Sequence, residues 1–298
     1  MADCFVTKIE LNLKDKLQKD LIDQGFELFT PPHSFFSAKR NGIVICLYKS
    51  GKLTVQGKNK NEFISYYLEP EILKDFTYSY PEIGIDFTPR IGIDEAGKGD
   101  FFGPLSVGGL YSSQECIKLL MTLGVKDSKS MSDKSIRQIA KEIKKHCKYS
   151  VVNIYPNKYN ELYKGFLNIN SLLAWGHATA IDTLIKQTNC NFVTIDQFAK
   201  ESYVANAVKK KGITDIKLQQ QHKGESDIVI AGASIIARDA FLEGLSKLSS
   251  QYQFDFPKGA ANKVIGIGKS FVDRFGPEEL SNVCKEHFKT RNAVLGLN

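Results

Sequence analysis

Residues 90–112 read RIGIDEAGKGDFFGPLSVGGLYS. RIGID at 90–94 and PLSVGGLY at 104–111 have the apolar and β-branched content of strands, and the glycines between them mark a turn. Asp94 and Glu95 stand where the first run ends, immediately before Ala96-Gly97-Lys98-Gly99. Neighbours inside a strand point to opposite faces, so both carboxylates are expected to reach one site only where the strand ends and the backbone turns. The glycines supply that turn and let a nucleic-acid backbone approach main-chain N–H groups. Adjacent acids before a Gly-rich turn also describe an ordinary solvated turn. A Walker loop is excluded, because no Ser or Thr follows Gly97-Lys98 and the motif's first glycine is absent.

Downstream, helices and strands alternate. DKSIRQIAKEIKKH at 133–146 places Ile136, Ile139, Ala140 and Ile143 on one side of a helix whose other face is basic, and YSVVNIY at 149–155 reads as a third strand. A helix near SLLAWGHATAIDTLIKQ, a strand NFVTID, a helix ESYVANAVKKKG, a strand IKLQQQ and an apolar helix near ESDIVIAGASIIARDAFLEGL follow. A final helix is predicted over FGPEELSNVCKEHF, opened by Pro277. The alternation predicts parallel pairing in a layered α/β domain, with the first three strands antiparallel.

Upstream lies a smaller module. KDKLQKDLIDQ at 14–24 spaces Leu17, Leu21 and Ile22 as an amphipathic helix stopped by Gly25. FFSAKRNGIVICLYKSGKLTVQG reads as three antiparallel strands separated by Asn41-Gly42 and Ser50-Gly51, and NEFISYYL as a second helix. Pro70, Pro81, Gly84 and Pro89 then punctuate a stretch with little periodicity. The expected division is a module over 1–80, a linker over 81–89 and a larger domain over 90–298. The net charge of +7 suits a polyanionic partner, and +6 of it falls in residues 81–298. Basic and aromatic residues of the module, Lys39, Arg40, Lys49, Lys52 and Lys58 with Phe35, Phe36 and Tyr48, are candidates to bind a nucleic-acid duplex by shape, with about half of the aromatics turned into the core. The first residues are charged where a signal peptide needs an apolar run, and no segment reaches the length of a membrane span, so a cytoplasmic protein is expected. Six cysteines scattered singly predict reduced thiols.

Two further acids have placements that chemistry can use. Asp196 ends the strand NFVTID, where open α/β sheets put their sites, although it also fits a helix cap. Glu225 opens the apolar helix, where the helix dipole alone would explain it, and Asp227 is a reserve candidate two residues on. His177, beside the single Trp on an apolar helix, reads as a packed core residue rather than part of a site.

The string IDEAGKGDFFGP, with TIDQF at 194–198 and HKGES followed by ASIIAR at 222–238, resembles the ribonuclease HIII family, a bacterial relative of ribonuclease HII. VKDSKSMSD, LNINSLLAWGHA and FPKGA match as well, and the resemblance covers about residues 88–298. The amino-terminal meander fits the small TATA-binding-protein-like domain that this family carries and the HII type lacks. The resemblance implies an α/β ribonuclease H-like domain, a mixed sheet flanked by helices, preceded by that small α+β domain. It implies endonucleolytic cleavage of the RNA strand of RNA/DNA hybrids with Mg²⁺ or Mn²⁺ at a two-metal site. The family's acidic set falls on Asp94, Glu95, Asp196 and Glu225, the last a Glu where HII-type enzymes usually have Asp. Of these, Asp94 and Asp196 are expected to be shared ligands, Glu95 a supporting ligand, and Glu225 a ligand or water-orienting group. Gly97, Lys98 and Gly99 fall on the motif that contacts the substrate backbone, with Lys where HII-type enzymes usually have Arg, and Lys129, Lys223 and Arg238 are further phosphate-contact candidates. Hard oxygen donors independently suit Mg²⁺ or Mn²⁺. A monomer with no obligate protein partner is expected. The alternatives are HII-type incision at single ribonucleotides in DNA and a binding protein that cuts nothing, although a pure phosphate binder gains nothing from four acids.

Overall fold

The computed structural model describes residues 4–80, 82–83, 85–125, 128–221 and 224–297, the side chains of Ser130 and Glu225 excepted. Pro81 and Gly84 of the expected linker, and His222 and Lys223, lie outside the described residues. The chain divides into two compact units, Met1–Asp86 and Phe87–Asn298.

In the first unit, β1 (Cys4–Lys8), β2 (Glu27–Phe29), β3 (Ser34–Arg40), β4 (Ile43–Tyr48) and β5 (Lys52–Gly57) form an antiparallel sheet in the order β1-β5-β4-β3-β2. The predicted meander is its centre, and the short strands β1 and β2 add its edges. Asn41 and Gly42 both take positive φ, 44° and 76°, as a tight hairpin turn between right-twisting strands requires. Helix α1 (Lys14–Asp23) buries Leu17 and Leu21 against Ile45, Leu47, Leu53 and Val55 on one face of the sheet. Helix α2 (Lys60–Phe63) continues as a π-helix over Ile64–Leu73 with Pro70 inside it, so the helical segment runs past the expected 61–68. By strand alternation Lys8, Lys39, Tyr48 and Lys52 point away from that core, together with the half-exposed Val6 and Phe29. Phe36 is buried in the core and Arg40 donates to the Gln24 carbonyl, so neither joins that basic face.

The second unit is built on β6 (Arg90–Ala96), β7 (Leu105–Ser112), β8 (Lys148–Ile154), β9 (Phe192–Asp196) and β10 (Lys217–Gln221), in the order β10-β9-β6-β7-β8. β6, β7 and β8 pair antiparallel, and β9 and β10 extend the sheet in parallel from the other side of β6. Its helices are α3 (Gln114–Thr122), α4 (Asp133–His146), α5 (Pro156–Phe166), α6 (Ile169–Thr188), α7 (Ser202–Lys210), α8 (Ile228–Tyr252), α9 (Asn262–Phe275) and α10 (Lys289–Leu295). Helices α6 and α7 cover one face of the sheet through Ala178, Ile181, Leu184, Val204 and Val208. Helix α8 covers the other and is itself backed by α3, α4 and α9, which explains its apolar character all round. It lies directly on the strands: a Cβ at Gly92 would stand 2.7 Å from the Val229 carbonyl oxygen, and one at Gly108 2.5 Å from that of Ala233. Among the described residues no helix is long and apolar enough to cross a membrane.

Two expectations are corrected. Residues 278–282 form a short 3-10 turn, and the segment after it pairs with the loop following β6 instead of continuing a helix: Gly103 N–H donates to the Val283 carbonyl and Lys285 N–H to that of Phe101. Tertiary hydrogen bonds outcompete the local helical pattern there. Cys116 and Cys147, expected as free thiols, are joined in a disulfide between α3 and the end of α4. They are 31 residues apart in sequence, an interval that carries no pairing signal of its own.

Candidate active site

Strand β6 stays paired to β7 through Ala96, with Asp94 opposite Gly108 and Glu95 opposite Val107. The two acids therefore lie inside the strand's last residues and lean to opposite faces of the sheet, not beyond its end as the pattern predicts. Asp94 faces α8, where it accepts from Ser234, and its Oδ1 also accepts from the Glu95 N–H at 2.7 Å. Glu95 faces α6, where its Oε2 lies 3.1 Å from His177 Nε2. Its other oxygen, Oε1, is 3.6 Å from Lys98 Nζ.

Both acids nevertheless line one cleft of about 420 Å³ together with Asp196, Gly97, Lys98, Gly99, Lys129 and Arg238. Asp196 ends β9, next to β6, and its Oδ1 accepts from the Gly224 N–H at 2.8 Å. Gly224 opens the 3-10 turn Gly224–Ser226, so the backbone of Glu225 is adjacent to Asp196, although its side chain is not described. Lys223 lies outside the described residues. Asp227 does not line this cleft. It caps α8 through the Val229 N–H at 2.8 Å and pairs with the buried Arg90, Oδ1 to Nη2 at 2.9 Å and Oδ2 to Nε at 3.0 Å.

The loop after β6 requires glycine at its bend. Gly97 has φ 86°, where a side chain would be strained, and its Cβ would collide with the Pro104 carbonyl oxygen. Lys98 is partly exposed, with Nζ 5.3 Å from the centre of the Phe198 ring. Behind the loop the fully buried Lys285 donates to the Asp100 and Gly103 carbonyls, both at 2.8 Å, and Asp100 Oδ1 accepts from the Gly259 N–H. Burial lowers the Lys285 ammonium to about 7, against the opposing pull of Asp100.

The two adjacent carboxyls differ in electrostatics. Burial and then the Glu95 charge push Asp94 up to about 7, with Asp196 adding to the rise and the hydrogen bonds from Ser234 and the Glu95 N–H opposing it. Burial also pushes Glu95 up, but the His177 hydrogen bond and the Lys98 ammonium outweigh it and hold the carboxyl below its usual range. Among the described residues no three His, Cys, Asp or Glu side chains are already arranged around one ion. The donor chemistry of the cleft, carboxylate oxygens with no thiolate among its lining residues, fits hard divalent cations. Sequence reasoning set His177 aside as core and missed Ser234, Phe198 and Lys285. Their roles depend on which helix faces which strand, and local periodicity does not record that.

The family model described as Ribonuclease HII matches residues 91–291, and one described as a domain of unknown function matches residues 4–78. A protein named Ribonuclease HIII from Protochlamydia amoebophila is 51% identical over 98% of this chain and 97% of its own length. Another of that name from Chlamydia felis is 46% identical over 99% and 98%. The crystal structure of Bst-RNase HIII in complex with Mn²⁺ superposes with a TM-score of 0.69 at 27% identity, over 99% of this chain and 98% of the other. The expected fold, a mixed sheet flanked by helices preceded by a small antiparallel-sheet domain, is the one observed, and the Bst-RNase HIII structure matches it.

Proposed function

This chain belongs to the ribonuclease HII family, among relatives named ribonuclease HIII, and on that premise we propose that Asp94, Glu95, Asp196 and Glu225 hold divalent cations against the RNA strand of an RNA/DNA hybrid. It is a ribonuclease H, an endonuclease. The observation that carries the residue assignment is the meeting of three carboxylates from β6 and β9 in one cleft beside the Gly97-Lys98-Gly99 loop.

These four residues would hold Mg²⁺ or Mn²⁺, at a two-metal site, and the cations would supply water activation and charge stabilisation at the scissile phosphate. Asp94 and Asp196, from adjacent strands, bring the negative charge that draws the cations. Glu95 contributes Oε1, the oxygen that Lys98 meets. Gly97 bends the loop, the exposed Gly99 leaves its backbone open to the substrate, and Lys98 reaches a phosphate or a 2′-hydroxyl, the group by which RNA is told from DNA. Lys129 and Arg238, on the cleft wall, contact neighbouring phosphates. Lys223 completes the proposed set.

Cleavage of an end-labelled RNA/DNA hybrid tests the reading. Products are expected with Mg²⁺ or Mn²⁺ and none in chelator; undiminished cutting in chelator would remove the metal assignment. Duplex DNA carrying one ribonucleotide is expected to be a poor substrate, and efficient incision on its 5′ side would move the specificity to the HII type.

The first unit supplies affinity for the hybrid through Lys8, Lys39 and Lys52, which share a sheet face with Tyr48 and Phe29. Reversing the three lysines to Glu is expected to weaken hybrid binding at least tenfold and flatten its salt dependence, with turnover at saturation preserved. Filter binding across a salt series measures both, and an unchanged slope contradicts the role.

A further inference from the structure

Helix α6 presents an almost wholly apolar face to the sheet, and His177 is the exception: fully buried, between Ala174 and Ala178. Its Nδ1 is the one described buried side-chain nitrogen or oxygen with no hydrogen-bond partner. Leaving such an atom unpaired is costly, and an apolar ring of the same shape would pack there without that penalty. The compensating contact is at the other nitrogen, Nε2, 3.1 Å from Glu95 Oε2. With Glu95 a carboxylate, Nε2 carries the hydrogen and donates it. The ring cannot turn freely, since Phe198 packs on it at 4.8 Å between centroids.

We propose that His177 is a positioning residue for Glu95, holding Oε2 from the buried side so that Oε1 stays turned to the cleft. This rests on the reading of Glu95 as a cation ligand. The two oxygens of Glu95 have unequal neighbours: His177 is fully buried, whereas Lys98 is more than a third exposed and can leave Oε1 for a phosphate. A fixed second partner of this kind orients a ligating side chain before any cation arrives, and removing one typically weakens metal affinity about 10–100-fold. The inference also accounts for a histidine that neither helix propensity nor core packing calls for.

The test compares His177→Phe, which keeps the ring's volume, with His177→Gln, which keeps a donor near the Nε2 position. Mn²⁺ affinity is measured by calorimetry on the full-length metal-free protein, and kcat and KM are measured on a hybrid. The Phe variant is expected to melt within a few degrees of wild type, to bind Mn²⁺ at least tenfold more weakly, and to lose kcat at limiting metal with KM for the hybrid unchanged. The Gln variant is expected to recover Mn²⁺ affinity to within about threefold. Wild-type Mn²⁺ binding in the Phe variant overturns the proposal, and so does a Gln variant as defective as Phe. If the Phe variant fails to fold, the Gln variant decides: Mn²⁺ affinity within about threefold of wild type supports the role, and a larger loss overturns it. Glu95→Gln and Asp94→Asn run alongside. If they weaken Mn²⁺ binding and His177→Phe does not, the positioning role alone fails; if none of the three does, the cation site itself is misplaced.

Discussion

Asp94→Asn is expected to lower hybrid cleavage about a thousandfold or more while leaving hybrid binding intact and raising the melting temperature of the metal-free protein. The loss of activity follows from removing a charged oxygen donor at the centre of the cleft. The gain in stability follows from the same crowding. Burial and the Glu95 charge raise the Asp94 carboxyl to about 7 in the folded protein, against about 3.9 in an unfolded chain. Between those two pH values the folded state binds more protons than the unfolded one, so stability falls as pH rises. At neutral pH the ionised Asp94 thus opposes folding, and Asn removes the charge while keeping an oxygen for the Glu95 N–H. A rise of about 2–6 °C at pH 7.5 in chelator is expected, narrowing at pH 5 where wild-type Asp94 is already protonated. Calorimetry at the two pH values measures it. Added Mn²⁺ should stabilise the wild type and leave the variant unchanged. A variant less stable than wild type in chelator at pH 7.5 would contradict the electrostatic account.

The second large effect concerns Arg90. Its guanidinium is almost fully buried, pairs through two nitrogens with Asp227, and donates from Nη1 to the Thr88 carbonyl at 2.8 Å. Arg90→Ala strands the Asp227 charge in the interior and is expected to lower the unfolding free energy by about 3–5 kcal/mol. Asp227 also caps α8 and follows the turn that carries Glu225, so the pair ties that turn to the first residue of β6. Arg90→Lys, which cannot make the two-pronged contact, is expected to remain folded and to lose activity more than hybrid affinity. Urea unfolding of Arg90→Ala, Asp227→Ala and the double variant measures the coupling. A double variant whose loss equals the sum of the singles would show that the two side chains act independently.

The sequence was most informative where local pattern and tertiary role coincide. The β6–β7 hairpin, the apolar α8 and the strand-terminal Asp196 could all be read because burial on both faces leaves continuous apolar runs and strand ends leave polar ones. The position of Asp94 and Glu95 was only half legible. Their nearness to one cleft was expected, but pairing through Ala96 sends them to opposite sheet faces, each with its own helix partner. His177 looked like core because it is core; what makes it more is the strand it faces. Lys285 was hidden in a misread helix, since the hydrogen bonds that straighten residues 283–285 come from Phe101 and Gly103 far away in sequence. The Cys116–Cys147 bond escaped for the same reason.

The central claim is that carboxylates separated along the chain share cations at one place. Anomalous diffraction from a crystal of the full chain soaked in Mn²⁺ tests it directly. The account predicts peaks bounded by Asp94 and Asp196, with Glu95 and Glu225 in contact. Peaks confined to other surfaces, in a protein that still cleaves the hybrid with Mn²⁺, would contradict it.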